Sequence, residues 1–589
     1  MALMNPKISP LSCYASTNPN NLPKFLVSKF HSTVASFSPS NTTKRSSPSK
    51  VYHPVSNYST RFDHKISIKY LQELHIKKVK NILIANLDDP LKSLDMINNI
   101  QGLGIDLHFL HEIDQILHIV YKEFNQNKGC YGRDHREVAL CFRLLRQAGH
   151  NVQESIFRNI LDKKTGFKDD LENDVKGLIE LYEASQLGVE GEEILDSLRE
   201  CTFTRLNELC SGRGSHEERE IMNSLAQPRH KTLTRITSKR FISLIKIVGE
   251  EDNEWLQSLL LVAEIDSIML KSLIQEEISQ VFRWWRELGL DKELRKARNQ
   301  PLKWHTWSLE ILQDPCFSEQ RLDLTKPISL VYIIDDIFDV YGELEELTIF
   351  TQVVESENIF YRWDPEGLEK LPRYMKICFE ALDTITKEIS MKIYKSHGLN
   401  PTDSLRKSWA SLCRAFLVEA KWFNSGYLPN CEEYMKNGVV SSGVHLVMLH
   451  VYYLLEEEMS TEKVELIESN PEIVSSAATI LRLWDDLGSA KDENQDGIDG
   501  SYIECYLNEH NGSTVDEART HVFQKISKAW KRLNKECLNP RPFSRVFSKA
   551  CLNIARTVPL MYSYDEDQKL PGLNEYLKAS NIKVPFDAL

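Results

Sequence analysis

Ile328-Ser-Leu-Val-Tyr-Ile-Ile-Asp-Asp-Ile-Phe-Asp-Val-Tyr341 is an apolar stretch that carries three aspartates, Asp335, Asp336 and Asp339. Its length and spacing read as a buried helix. Carboxylates do not stay in such a helix unless something neutralises them. Asp335 and Asp339 are four residues apart, so an α-helix would put them on one face. Two converging carboxylates make a hard-oxygen site that suits Mg²⁺ and leaves positions open for water and phosphate oxygens. A helix end dipping into solvent would also explain the aspartates, if this stretch stood alone.

A second acidic stretch argues against that simpler explanation. Leu481-Arg-Leu-Trp-Asp-Asp-Leu-Gly-Ser-Ala-Lys-Asp-Glu493 places Asp485, Ser489 and Glu493 at i, i+4 and i+8. Their oxygens would lie along one helical stripe. Arg482 precedes Asp485 by three residues and has the planar fork that grips phosphate. Leu481, Leu483, Trp484 and Leu487 make the segment half-buried, whereas Lys491 and Asp492 read as solvated. Two acidic helices about 150 residues apart suggest a clamp around a diphosphate held by several Mg²⁺ ions.

With both motifs in place the chain resembles the plant terpene synthases. Asp335-Asp336-x-x-Asp339 is similar to that family's aspartate-rich motif, and Asp485-Asp486-x-x-Ser489-x-x-x-Glu493 to its second metal motif. The resemblance covers roughly residues 64 to 589. Phe142-Arg-Leu-Leu-Arg-Gln-Ala-Gly-His150 and Gly177-Leu-Ile-Glu-Leu-Tyr-Glu-Ala-Ser185 resemble its N-terminal helical signatures. Trp284-Trp285, Ser441-Ser442-Gly443 and Met561-Tyr562-Ser-Tyr-Asp565 resemble segments of its catalytic half. By contrast Asp169-Asp-Leu-Glu-Asn-Asp174 is polar almost throughout and reads as an exposed decoy.

Bulk properties agree with this reading. Acidic residues outnumber basic ones by 84 to 72, which argues against a general nucleic-acid binder. An anionic substrate is still allowed, because bound Mg²⁺ inverts the local field. The 12 cysteines form no CxxC pair and read as reduced thiols. No apolar run is expected to reach the roughly 18 residues that span a bilayer. Nothing points to an obligate protein partner.

Residues 1–62 contain no Asp or Glu and are rich in Ser and Thr. That composition fits a transit peptide, with the plastid as destination. From Asp63 onward helical periodicity dominates, as in Leu110-His-Glu-Ile-Asp-Gln-Ile-Leu-His-Ile-Val120, and the fold class is all-α. The expected division is a helical domain over 63–235 and a metal-binding catalytic domain over 236–589. The resemblance implies an N-terminal α-barrel packed on a class I terpene synthase helical bundle. The N-terminal part lacks Asp-x-Asp-Asp, the acid motif of protonation-initiated cyclases, and is expected to be catalytically silent.

The resemblance implies ionisation of a prenyl diphosphate. Asp335, Asp339, Asp485, Ser489 and Glu493 would hold about three Mg²⁺ ions, with Mn²⁺ as a possible substitute. Arg298 and Arg482 would grip the diphosphate, and Asp336 would orient a water or a basic side chain. Trp307 and Tyr562 would supply aromatic walls for the cation. Two departures bear on the product. The Arg-Arg-x8-Trp motif of cyclising members is missing from Thr60–Gln72, and Arg-x-Arg is reduced to Arg298-Asn299-Gln300. Both departures, and the run Arg298-Asn-Gln-Pro-Leu-Lys-Trp304, resemble the subgroup that makes acyclic alcohols. The expected product is linalool from geranyl diphosphate, with nerolidol from farnesyl diphosphate. The alternatives are a cyclising synthase, a chain-elongating prenyltransferase and a non-catalytic helical scaffold. Against the prenyltransferase stands the Ser/Glu form of the second motif. Against the scaffold stands the lack of any repeat of roughly 34 to 45 residues.

Overall fold

Helix ends are set by short polar caps. Asp134 accepts from the Arg136 amide, Asp174 from Gly177, Asn430 from Glu433 and Ser544 from Phe547. Each satisfies an amide that the first helical turn leaves unpaired. The computed structural model describes residues 57–87, 89–126, 134–161, 173–210, 215–248, 253–355, 365–456, 459–489, 500–538, 542–563 and 571–579. Among these residues every regular element is helical and none is a strand. The expected transit peptide lies outside the described residues up to position 56, as does Glu493.

The chain divides into two units between Glu73 and Leu74. Within the second, apolar side chains gather into two large cores. One spans Val79 to Ala263, the other Leu233 to Tyr576. The long helix Glu254–Leu288 gives Leu259 and Val262 to the first and Trp285 to the second. The segments Phe142–His150 and Gly177–Ser185 lie largely on two packed helices, His135–Gln147 and Val175–Ser185. Buried Arg143 on one pairs with buried Glu180 on the other. Asp174, in the sequence decoy, serves as a helix cap.

Polar contacts join the two cores. Asn534 donates to the carbonyls of Gln186 at 3.1 Å and Gly188 at 2.9 Å. Its side-chain oxygen lies 2.8 Å from the His230 ring. Lys531 pairs with Asp196 at 2.6 Å.

Four elements position the candidate site. The first acidic helix is Ser318–Asp336 and the second is Glu472–Ser489. Between them runs a broken helix, Cys431–Ser441 followed by Val444–Leu455, whose second part packs against both acidic helices. The helix Pro301–Ile311 packs against the first acidic helix and against Arg545–Tyr562. Gly443 makes the break possible. Its φ of +71° is left-handed, and a Cβ there would lie 2.8 Å from Val331 Cγ1 on the first acidic helix. One expectation is corrected here. Cys431–Leu455 is long and apolar enough to cross a membrane by length and composition, but most of its apolar window is buried in the bundle. It is a core helix, so apolar length alone misstates its role.

Candidate active site

The first acidic helix does not simply run on through its motif. After Asp336 the chain widens into a π-turn over Ile337–Tyr341, closed by the Gly342 amide donating to the Ile337 carbonyl at 2.8 Å. Asp335 and Asp339 therefore do not share an ideal α-helical face. The wide turn leaves Asp339 exposed while Asp336 is buried. π-turns of this kind recur at functional sites because they redirect a side chain without ending the helix.

Each motif aspartate has its own environment. Asp336 is fixed to Arg298, taking its amide and its Nε, both at 2.7 Å. Arg298 also pairs with Asp335, donates to the Tyr332 carbonyl at 3.3 Å and lies over the Tyr332 ring at 5.0 Å. Asp336 is thus hydrogen-bonded to a basic side chain. On the second acidic helix, buried Asp486 accepts from the Tyr434 hydroxyl at 2.8 Å and the Tyr502 amide at 3.2 Å. Burial raises its carboxyl to about 7, and Arg482 only partly offsets this. Asp485, the predicted ligand, remains partly open beside it.

The two acidic walls are within electrostatic reach of each other. Loss of solvent raises the Asp485 carboxyl, and Asp335 raises it further against the pull of Arg482. Asp339 goes up to about 8, through desolvation first and then the charges of Asp335 and Glu419. The side chain is still reached by water. Glu419, on the helix Thr402–Ser425, belongs to this group although sequence reasoning missed it. It accepts from Ser441 Oγ at 2.6 Å and Asn437 at 3.0 Å. Its signal was the same as that of Asp335: an acid in an apolar run, Ala415-Phe-Leu-Val-Glu-Ala420.

Arg482 reaches Ser441 Oγ at 3.1 Å and stands 3.8 Å from both Asp485 and Asp486. Its buried Nε has no hydrogen-bond partner among the described residues. Gly438 lies against its stem, where a Cβ would meet Cγ at 3.1 Å. Ser489 closes the second acidic helix.

The aromatic residues line the other side. Trp307 is buried and donates to the Tyr332 hydroxyl at 3.0 Å, with its ring 6.3 Å from that of Tyr562. Asn299 accepts from the Trp285 indole at 2.8 Å, which ties the Arg298 segment to the bundle. Gln300 is exposed at the start of its helix. Lys303, also missed from sequence, is buried with its ammonium 5.6 Å from the centroids of both Tyr332 and Tyr562. Burial lowers it to about 8, as does Arg298, while Asp485 acts the other way. A separate open cavity of about 700 Å³, lined in part by Tyr502, Tyr506, His510 and His521, contains none of the predicted residues.

This donor set fits hard divalent cations. Mutually repelling carboxylates on two walls are the oxygen donors that Mg²⁺ takes. Among the described residues no three His, Cys, Asp or Glu side chains cage an ion. Mg²⁺ is ordinarily held by one or two carboxylates together with water and substrate phosphate, so an open arrangement suits it.

Known proteins share both the sequence and this architecture. Residues 286–532 match the terpene synthase family metal-binding domain, and residues 49–228 match the terpene synthase N-terminal domain. The chain is 72% identical over 579 residues to S-(+)-linalool synthase, chloroplastic, of Arabidopsis thaliana, covering 98% of this chain and all of that one. It is 47% identical over 507 residues to an (E)-nerolidol synthase of Cannabis sativa, covering 83% of this chain and 89% of that one. Isoprene synthase from grey poplar, in complex with three Mg²⁺ ions and dimethylallyl-S-thiolodiphosphate, superposes with a TM-score of 0.79 at 32% identity. That match covers 87% of this chain and 98% of the other. By sequence along both halves and by fold, the chain belongs to the terpene synthase family.

Proposed function

We propose that this protein ionises geranyl diphosphate and captures the allylic cation with water, giving linalool. The C1–O bond breaks with its electron pair on the diphosphate. Water then bonds to C3 and loses a proton to the released diphosphate or to solvent. Farnesyl diphosphate taken through the same steps gives nerolidol. The observation that carries this reading is the 72% identity to a linalool synthase over 98% of this chain and all of that one.

The chain's own residues divide the work. Asp335, Asp339, Asp485, Ser489 and Glu493 would hold about three Mg²⁺ ions, with Mn²⁺ as a substitute. The metal supplies neutralisation of the charge that develops on the leaving group. Arg298 and Arg482 grip the same oxygens, and Asp336 holds Arg298 in position. Trp307 and Tyr562 offer aromatic faces that stabilise a cation without trapping it covalently. The acid-free residues 1–62 and the chloroplastic relative support a plastid location.

The test supplies purified protein with Mg²⁺ and either geranyl or farnesyl diphosphate, followed by chiral gas chromatography. Linalool and nerolidol are expected, the former as the S-(+) form. Mainly cyclic hydrocarbons from both substrates overturn the water-capture reading.

A further inference from the structure

We propose that the Ser441 hydroxyl is a positioning group for Arg482, setting its guanidinium for the diphosphate by linking it to Glu419. This rests on the functional reading above and adds a residue that neither metal motif contains.

The helix Cys431–Ser441 turns one stripe toward the second acidic helix. Tyr434, Gly438 and Ser441 stand at i, i+4 and i+7, which is one face of a helix. Each meets Glu472–Ser489 in its own way. Tyr434 donates to Asp486 at 2.8 Å. Gly438 leaves room for the Arg482 stem, because a Cβ there would lie 3.1 Å from Cγ and 3.4 Å from Cδ. Ser441 Oγ accepts from Arg482 Nη2 at 3.1 Å. The same helix therefore holds both the stem and the head of this arginine.

Nothing else among the described residues fixes the head by a hydrogen bond. The Arg482 Nε has no partner there, and Asp485 and Asp486 stand 3.8 Å from Nη1, beyond hydrogen-bond reach. Those acids supply charge, but charge alone does not fix the plane of a guanidinium. A directed hydrogen bond does, and a bidentate grip on phosphate depends on that plane.

The hydroxyl is itself held. Ser441 is 4% exposed, so water has little room to stand in for it. Its single proton goes to Glu419 at 2.6 Å, an oxygen that also accepts from Asn437 at 3.0 Å. The alternative acceptor, the Gly438 carbonyl, is farther away at 3.5 Å. With the proton committed to Glu419, the oxygen is left to accept from Arg482. Guanidinium, hydroxyl and carboxylate then form a chain whose bonds all run one way and reinforce one another. The next residue does not share this role. Ser442 Oγ donates to the Val439 carbonyl at 2.8 Å and accepts from the Val444 amide at 3.3 Å, both within its own turn.

The test is titration calorimetry of inorganic pyrophosphate in the presence of Mg²⁺, on the parent protein, Ser441→Ala, Ser441→Thr, Arg482→Met and the Ser441→Ala/Arg482→Met double variant. Ser441→Ala should weaken pyrophosphate binding about tenfold or more, the size of one hydrogen bond to a charged group. Ser441→Thr keeps the hydroxyl and should recover most of that loss. In the Arg482→Met background the same alanine change should cost about twofold or less, since the group it positions is gone. Steady-state kinetics with geranyl diphosphate should show kcat/KM falling with pyrophosphate affinity in Ser441→Ala. Thermal melts confirm that each variant is folded, and a purely structural serine would lower the melt while leaving affinity per folded molecule unchanged. Parental affinity in folded Ser441→Ala overturns the assignment. So does an equal loss with and without Arg482, which would mean that the hydroxyl acts by another route. A parent that binds pyrophosphate yet turns over no prenyl diphosphate overturns the functional reading instead.

Discussion

Two buried charge clusters in this molecule obey the same physics and end in opposite states. In the N-terminal core, Glu180 is buried against Arg143, with Arg229 3.8 Å away. Burial pushes its carboxyl up, but the two guanidinium groups outweigh that, and it ends below its ordinary value. Arg146 is likewise absorbed by Glu192 and by the carbonyls of Val152 and Leu187. Near the motif helices, desolvation again raises Asp339, and the next largest influences on it are the charges of other acids, Asp335 and Glu419. Arg298 and Arg482 only partly offset them. A cluster that closes its own charge balance holds two helices together. A cluster left with excess negative charge within reach of solvent is prepared for cations from outside.

The sharpest way to break this contrast is to alter the open cluster. Asp335→Ala should lower turnover by about 10²- to 10³-fold or more, since charge stabilisation at the leaving group is lost. Its thermal midpoint should change little, because the lost pair with Arg298 and the relieved repulsion of Asp339 oppose each other. Diphosphate release measured beside a thermal melt checks both, and a large fall in stability would place Asp335 with the structural pairs.

The closed cluster should behave in reverse. Arg143→Met leaves Glu180 buried without its main partner and should cost about 3–5 kcal/mol of stability. Turnover per folded molecule should be unchanged. Thermal unfolding combined with active-site titration tests this, and a selective loss of turnover would contradict it.

A smaller effect sharpens the comparison inside the closed cluster. Glu183 is fully buried, accepts the Arg229 amide at 2.8 Å, and leaves Oε1 without a partner among the described residues. Burial raises its carboxyl from 4.5 to about 7, against the pull of Arg229 and Arg143. A raised carboxyl favours folding below its ordinary value, and that contribution is lost as pH rises toward the folded value. Glu183→Gln cannot ionise, so its advantage over the parent should grow between about pH 4.5 and 7 and then level off. At pH 8 the gain should be a few degrees in thermal midpoint. Equal melting curves across that range would contradict the assignment.

Much of the site was legible because burial and charge conflict openly in the sequence. Asp335, Asp336, Asp485 and Asp486 stand in apolar runs, and a carboxylate there demands an explanation. Glu419 sends the same signal but stands alone, with no second acid at helical spacing to strengthen it. Lys303 was hidden for a different reason. A single lysine in the first turn of a helix reads as a residue reaching for solvent, and only the tertiary structure brings its ammonium against Tyr332 and Tyr562 and buries it. The π-turn was not readable either, because local propensities do not separate a wide turn from an α-turn.

The sequence by itself determined the helical class, the two acid motifs and the membership that follows from them. Periodicity and charge placement are properties of short segments, and short segments can be read one at a time. Only the tertiary structure decided which acids face one another, which arginine is engaged by Asp336, and that Cys431–Leu455 is core. Those outcomes depend on distances between residues far apart in the chain. Arg298 and Asp336 are 38 positions apart yet 2.7 Å from each other, and no local pattern encodes that contact.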